Sequence, residues 1–104
     1  MYYTYMLRCV DSSIYTGITT EPARRLREHI QAGKRAAGYT RSHKAEGFIA
    51  IWQSEERSMA SRLEALIKSL PKNKKEELAK SGDLSMLNDR LDVGRYTNIL
   101  SGKE

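Results

Sequence analysis

Residues 3–18 read as a β-hairpin, and that hairpin constrains everything after it. Tyr3-Thr4-Tyr5-Met6-Leu7 and Ile14-Tyr15-Thr16-Gly17-Ile18 are rich in aromatic and β-branched side chains. Between them, Asp11-Ser12-Ser13 is turn chemistry. Side chains alternate along a strand, so Tyr3, Tyr5 and Leu7 share one face of the first strand. On the second strand Ile14, Thr16 and Ile18 share a face, and Tyr15 and Gly17 take the other. A lone hairpin is barely stable in water, so the rest of the chain must supply its partners.

Helix signals follow. Thr20-Glu21-Pro22 predicts an N-terminus, with Thr20 as cap, Glu21 at the positive end of the dipole and Pro22 in the first turn. Ala23, Leu26 and Ile30 form the expected buried stripe, and Gly33 the stop. Arg25 and His29, one turn apart, fall on the flank of that stripe, whereas Arg24, Arg27 and Glu28 face outward. Residues 33–46 form a long loop, and loops of that length are usually functional. Gly47–Gln53 is apolar on both faces and reads as a buried third strand. Residues 57–70 give the strongest amphipathic helix, with Met59, Ala60, Leu63, Leu66, Ile67 and Leu70 inward. Glu64 lies at the edge of that side, about 100° from Leu63. After Pro71 a short basic helix runs from Lys72 to Lys80 and closes at Gly82.

The element order along the chain is therefore ββαβαα, a mixture of strands and helices. Residues 1–82 form the domain. Residues 83–104 form a C-terminal extension, in which Leu84, Leu87 and Leu91 have the spacing of a short helix and the tail frays. The 104 residues, 39% of them hydrophobic, suffice for one core and no more.

Composition narrows the function. The single cysteine, Cys9, excludes an internal disulfide and a cysteine-based zinc site. Met1-Tyr2-Tyr3-Thr4 lacks a basic leader, and no stretch approaches the ~18–20 apolar residues of a membrane span, so a soluble cytoplasmic protein with no membrane partner is expected. The net charge is +5. Arg24, Arg25, Arg27, Lys34, Arg35, Arg41 and Lys44 cluster within it, opposed in that stretch only by Glu28. Such a cluster points to a polyanion, most often nucleic acid.

Two phenols, a guanidinium and an imidazole (Tyr5, Tyr15, Arg25 and His29) then converge at one end of the sheet, a set suited to a phosphodiester. At this point the chain resembles the GIY-YIG nuclease superfamily, in particular its small single-domain bacterial branch. The first motif stands as Thr4-Tyr5-Met6 and the second as Tyr15-Thr16-Gly17. Ile18-Thr19-Thr20, Arg24-Arg25…His29, Tyr39-Thr40-Arg41 and Ala60…Glu64…Ile67-Lys68 match at agreeing spacings over about residues 3–80.

The resemblance implies an α+β fold, a small three-stranded, mostly antiparallel sheet flanked by helices, and a divalent-metal-dependent endonuclease hydrolysing DNA phosphodiester bonds. Its expected substrate is single-stranded or structured DNA, cut with low sequence specificity. Tyr5, Tyr15, Arg25, His29 and Glu64 match catalytic positions, and Glu64 is the metal ligand. One Mg²⁺ or Mn²⁺ is expected, weakly bound without substrate, because Mg²⁺ is held by one or two carboxylates plus substrate oxygens. Arg25 clamps the phosphate. Tyr15 or Tyr5 is the general base, and His29 joins in proton relay or phosphate contact. Gly17 allows close approach beneath the site. Lys34, Arg35, Tyr39, Thr40 and Arg41 in the loop, with Lys68 and Lys72, contact nucleic acid along with Arg25. A protein partner could add targeting. Two plainer readings stand beside these: a Glu64–Lys68 surface pair on the helix, and a noncatalytic nucleic-acid-binding domain on the same scaffold.

Overall fold

The computed structural model describes residues 1–31, 38 and 43–100. Strands β1 (Tyr2–Cys9) and β2 (Ile14–Thr19) form the expected antiparallel hairpin. At its turn Ser12 adopts φ 71°, and the Asp11 carboxylate accepts hydrogen bonds from the Ser13 backbone N–H and hydroxyl. Strand β3 (Ala45–Ser54) pairs antiparallel with the other side of β1. The register shifts between Met6 and Leu7 and between Arg8 and Cys9, so β3 bends along the hairpin.

The sheet has four strands, not the three expected, in the order β2-β1-β3-β4. The added β4 is only Thr97–Asn98, opposite Gln53 and Trp52. Two residues cannot display alternation, which is why it carries no legible sequence signal.

Each face of the sheet is covered differently. Met6, Ala50 and Trp52 pack against Leu63 and Ile67 of α2 (Arg57–Lys68), Leu78 of α3 (Lys72–Ser81), and Leu84, Leu87 and Leu91. Each such leucine contributes roughly 1.5–3 kcal/mol by leaving water. The leucines beyond Gly82 therefore belong to the main core. The expected short helix there is a 3-10 turn, Leu84–Leu87, whose cap Asp83 accepts from the Ser85 N–H. Gly82, at φ 68°, closes α3 as expected, and its carbonyl accepts from the Trp52 indole and the Asn98 amide. Tyr96 ties the same segment to α2 through the Met59 carbonyl, at 2.7 Å.

The opposite face carries Tyr5, Leu7 and Ile51, with Tyr3, Tyr15 and Phe48 around them, under Leu26 of α1 (Pro22–Gln31). Here the expected stripe needs correction. Ala23 is exposed, Ile30 is 41% exposed, and the fully buried residue of α1 is His29. Glu28, expected to face outward, is half-buried. Nor does Thr20 cap the helix: Glu21 occupies that position, its carbonyl taking the Arg25 N–H and its own N–H bonded to the Thr19 hydroxyl. Gly33, the expected stop, and the 101–104 tail lie outside the described residues. Among the described residues no helix is long and apolar enough to cross a membrane.

Candidate active site

Tyr5 is the centre of the site because β1 is paired on both sides along its length, with β2 and with β3. It stands opposite Gly17 on β2 and Ile51 on β3 and is 1% exposed. Its hydroxyl lies 2.8 Å from His29 Nε2, a bond that gives both buried polar groups a partner. The Tyr15 ring completes the group, 5.3 Å from the His29 ring and 6.3 Å from Tyr5 between centroids. Phe48 packs on Tyr5 from β3, at 5.2 Å.

Gly17 is required by that packing. A Cβ there would sit 2.6 Å from the Tyr5 hydroxyl oxygen and 2.8 Å from its Cζ. The glycine is thus the floor on which the phenol rests. Gly17→Ala should lower stability by about 1–3 kcal/mol, the usual cost of overpacking, and push Tyr5 off His29. Denaturant melts check the first effect. The His29 imidazole resonances check the second, and unchanged shifts would refute the displacement.

One turn before His29, the Arg25 guanidinium is 2.8 Å from the Glu28 carboxylate and remains a quarter exposed. It also bears on the Tyr5 hydroxyl, favouring the phenolate form. Burial outweighs it, and with Tyr15 and Glu64 nearby the Tyr5 phenol is pushed up to about 12. Burial, seconded by the Arg25 cation, pushes His29 down to about 4. Near neutral pH the site therefore holds a protonated Tyr5 and a neutral His29.

Glu64 reaches the cluster from α2, which packs against β1 and β2, the latter being the sheet's edge. Its carboxylate is 3.2 Å from Lys68 Nζ, the pair the helical spacing predicts. That same ammonium lies 5.9 Å over the centre of the Tyr15 ring. Lys72 goes elsewhere: it donates to the Ser12 carbonyl at the hairpin turn and pairs with Glu76. Lys34, Arg35, Tyr39, Thr40 and Arg41 lie outside the described residues.

Sequence reasoning missed two members of the site. Glu28 orients Arg25, and its i,i+3 spacing was the available signal. Phe48 supports Tyr5 across strands, a contact set by a bulged register that no local pattern announces.

With a four-stranded antiparallel sheet, helices on both faces and this polar cluster in view, the comparisons fall into place. The GIY-YIG catalytic-domain model matches residues 1–77, and the chain belongs to that family of nuclease-type domains. It is 43% identical over 82 residues to the UPF0213 protein FN1575 of Fusobacterium nucleatum, covering 79% of this chain and 80% of that one. A UPF0213 protein of Citrobacter koseri is also 43% identical, over 83 residues, covering 79% and 80%. The solution NMR structure of the UPF0213 protein BH0048 from Bacillus halodurans is 38% identical, with a TM-score of 0.48 over 75% of this chain and 82% of that one.

Proposed function

We propose that this site hydrolyses DNA phosphodiester bonds with a divalent cation, on single-stranded or structured DNA and with low sequence specificity. The observation that carries the reading is the Tyr5–His29 hydrogen bond beside Arg25 and Tyr15, with Glu64 at the neighbouring sheet edge. Arg25, anchored on Glu28 and a quarter exposed, presents its remaining donors to a phosphate and offsets the charge that grows in the transition state. Tyr5, held protonated by burial, positions rather than accepts a proton. The general-base role falls to Tyr15 on accessibility, as the half-buried phenol of the pair. His29, neutral and bonded to Tyr5, fixes the phenol's orientation.

The donor set fits a weakly held ion. Among the described residues no three of His, Cys, Asp and Glu converge, so no closed cage exists. Glu64 is nonetheless turned to accept a cation, since an ammonium already lies against it. Mg²⁺ or Mn²⁺ on one carboxylate, with waters and substrate oxygens, follows ordinary coordination habits. When bound, the ion polarises a phosphoryl oxygen. Arg25, exposed Arg24 and Arg27, and Lys68 supply the backbone charge that DNA binding needs.

The Glu64–Lys68 pair also favours a second reading, a domain that binds nucleic acid without cutting it. One assay divides the two: labelled single-stranded and branched DNA, Mg²⁺ or Mn²⁺ against chelator, wild type beside Glu64→Gln. The nuclease reading expects metal-dependent cleavage, lowered about 10²-fold or more in the variant. Salt-sensitive binding without cleavage gives the second reading, and cleavage unchanged by Glu64→Gln removes Glu64 from the mechanism.

A further inference from the structure

The geometry points to Lys68 as the resident counter-cation of Glu64, with which a divalent ion must compete and which DNA helps to draw away. This inference rests on the nuclease reading and concerns how its metal site is controlled.

Three observations meet here. The ammonium sits 3.2 Å from Glu64 Oε2, on the same carboxylate the metal would use. Glu64 precedes Lys68 by four residues on α2, the orientation in which such helix pairs are most favourable. Lys68 is free to leave, for its side chain is 52% exposed while that of Glu64 is 24% exposed. In the same position the ammonium lies 5.9 Å over the Tyr15 ring, within the range of a cation–π contact, so it borders the phenol beside which a phosphate would arrive.

The consequence is a linkage. An ammonium and a divalent ion on one carboxylate repel each other, so each weakens the other's hold on it. Without DNA, Lys68 neutralises Glu64 and keeps the single-carboxylate site weak. A phosphate arriving beside Tyr15 attracts the ammonium, releasing Glu64 for the metal. DNA and metal then strengthen each other's binding, and by reciprocity each does so by the same factor. The i,i+4 pair is weak, so the exchange is a bias rather than a lock.

The test is a Mn²⁺ titration of the full chain followed by electron paramagnetic resonance, without DNA and then with a short single strand. Lys68→Met should bind Mn²⁺ roughly three- to ten-fold more tightly without DNA, from removal of one nearby positive charge. DNA should then improve its affinity by a smaller factor than in wild type. Lys68→Arg should stay within about two-fold of wild type, because the charge and the pair remain. Lys74→Met, which removes an exposed lysine paired with Glu77 on α3, controls for overall charge and should change nothing.

Equal affinity in Lys68→Met and wild type overturns the proposal, as does equal tightening in Lys74→Met. If Glu64→Gln abolishes binding while Lys68→Met leaves it unchanged, the metal site stands and only the exchange fails. If Glu64→Gln binds like wild type, the Glu64 metal site fails along with it. Should wild type bind too weakly to measure, binding that emerges in Lys68→Met supports the exchange, and none in either overturns it.

Discussion

Arg25→Ala should slow single-turnover DNA cleavage by roughly 10²–10³-fold, the usual loss when one donor to developing negative charge is removed. The size of that loss follows from where the guanidinium is held. One arm is fixed on Glu28 at 2.8 Å, and the group stands beside the buried Tyr5 hydroxyl rather than in open water. A donor already oriented needs no reorganisation as charge builds on the phosphate. Arg25→Lys should recover little, because one ammonium cannot span Glu28 and a phosphate as the planar fork does. The fold should survive, because the nearby Arg24, 3.9 Å from the Glu28 carboxylate, can take it over. A thermal melt beside the rate measurement separates the two effects. A rate within a few-fold of wild type, in a protein that still binds DNA, would exclude Arg25 from transition-state stabilisation.

The same arginine shows how far the sequence could be read. Its pairing with Tyr5 and His29 was legible because strand alternation places Tyr5 and helical spacing links Arg25 to His29. The face of α1 was not. Hydrophobicity puts Ala23 and Ile30 inside, yet both are exposed and His29 is buried. The helix is oriented by what lies beneath it, a tyrosine hydroxyl that needs a polar partner; leaving that hydroxyl buried and unpartnered costs about 1–3 kcal/mol, comparable with the burial lost by leaving one isoleucine partly exposed. The same limit explains the end of the chain. Leu84, Leu87 and Leu91 announce burial by their spacing, but the two-residue β4 is held by tertiary contacts, among them Trp52 and Asn98 donating to the one Gly82 carbonyl. Gly17 lies between these cases: its presence on a strand was visible, whereas its reason, the Tyr5 ring above it, is a tertiary contact.

Burial of His29 should also make the protein lose stability on mild acidification. Its folded pKa is pushed down to about 4, while an unfolded histidine titrates near 6.5. Between those values the unfolded chain binds the proton and the folded one does not, so stability falls as pH falls. The contribution is fully present above about pH 6.5, decreases through the window, and levels off below about 4. By linkage the folded state should be weaker by about 2 kcal/mol at pH 5 than at pH 7. For a domain of this size that is a fall in Tm of roughly 10 °C. Acidic groups act lower down: Glu76, bonded to Arg8, and Asp11, bonded to Ser13 and His43, have carboxyls held below their ordinary range, and their stabilisation is lost below that range. The chain has only two histidines, so His43→Asn leaves His29 as the only histidine able to titrate in the upper window. Urea unfolding of that variant at pH 7 and pH 5 measures the slope, and its single imidazole resonance reports the folded pKa. Equal stability at the two pH values, or an imidazole titrating near 6.5 in the folded protein, would mean that Tyr5 and His29 are not buried together. The imidazole should meanwhile stay neutral to about pH 5, so the Tyr5–His29 hydrogen bond keeps two neutral partners through the upper part of that window.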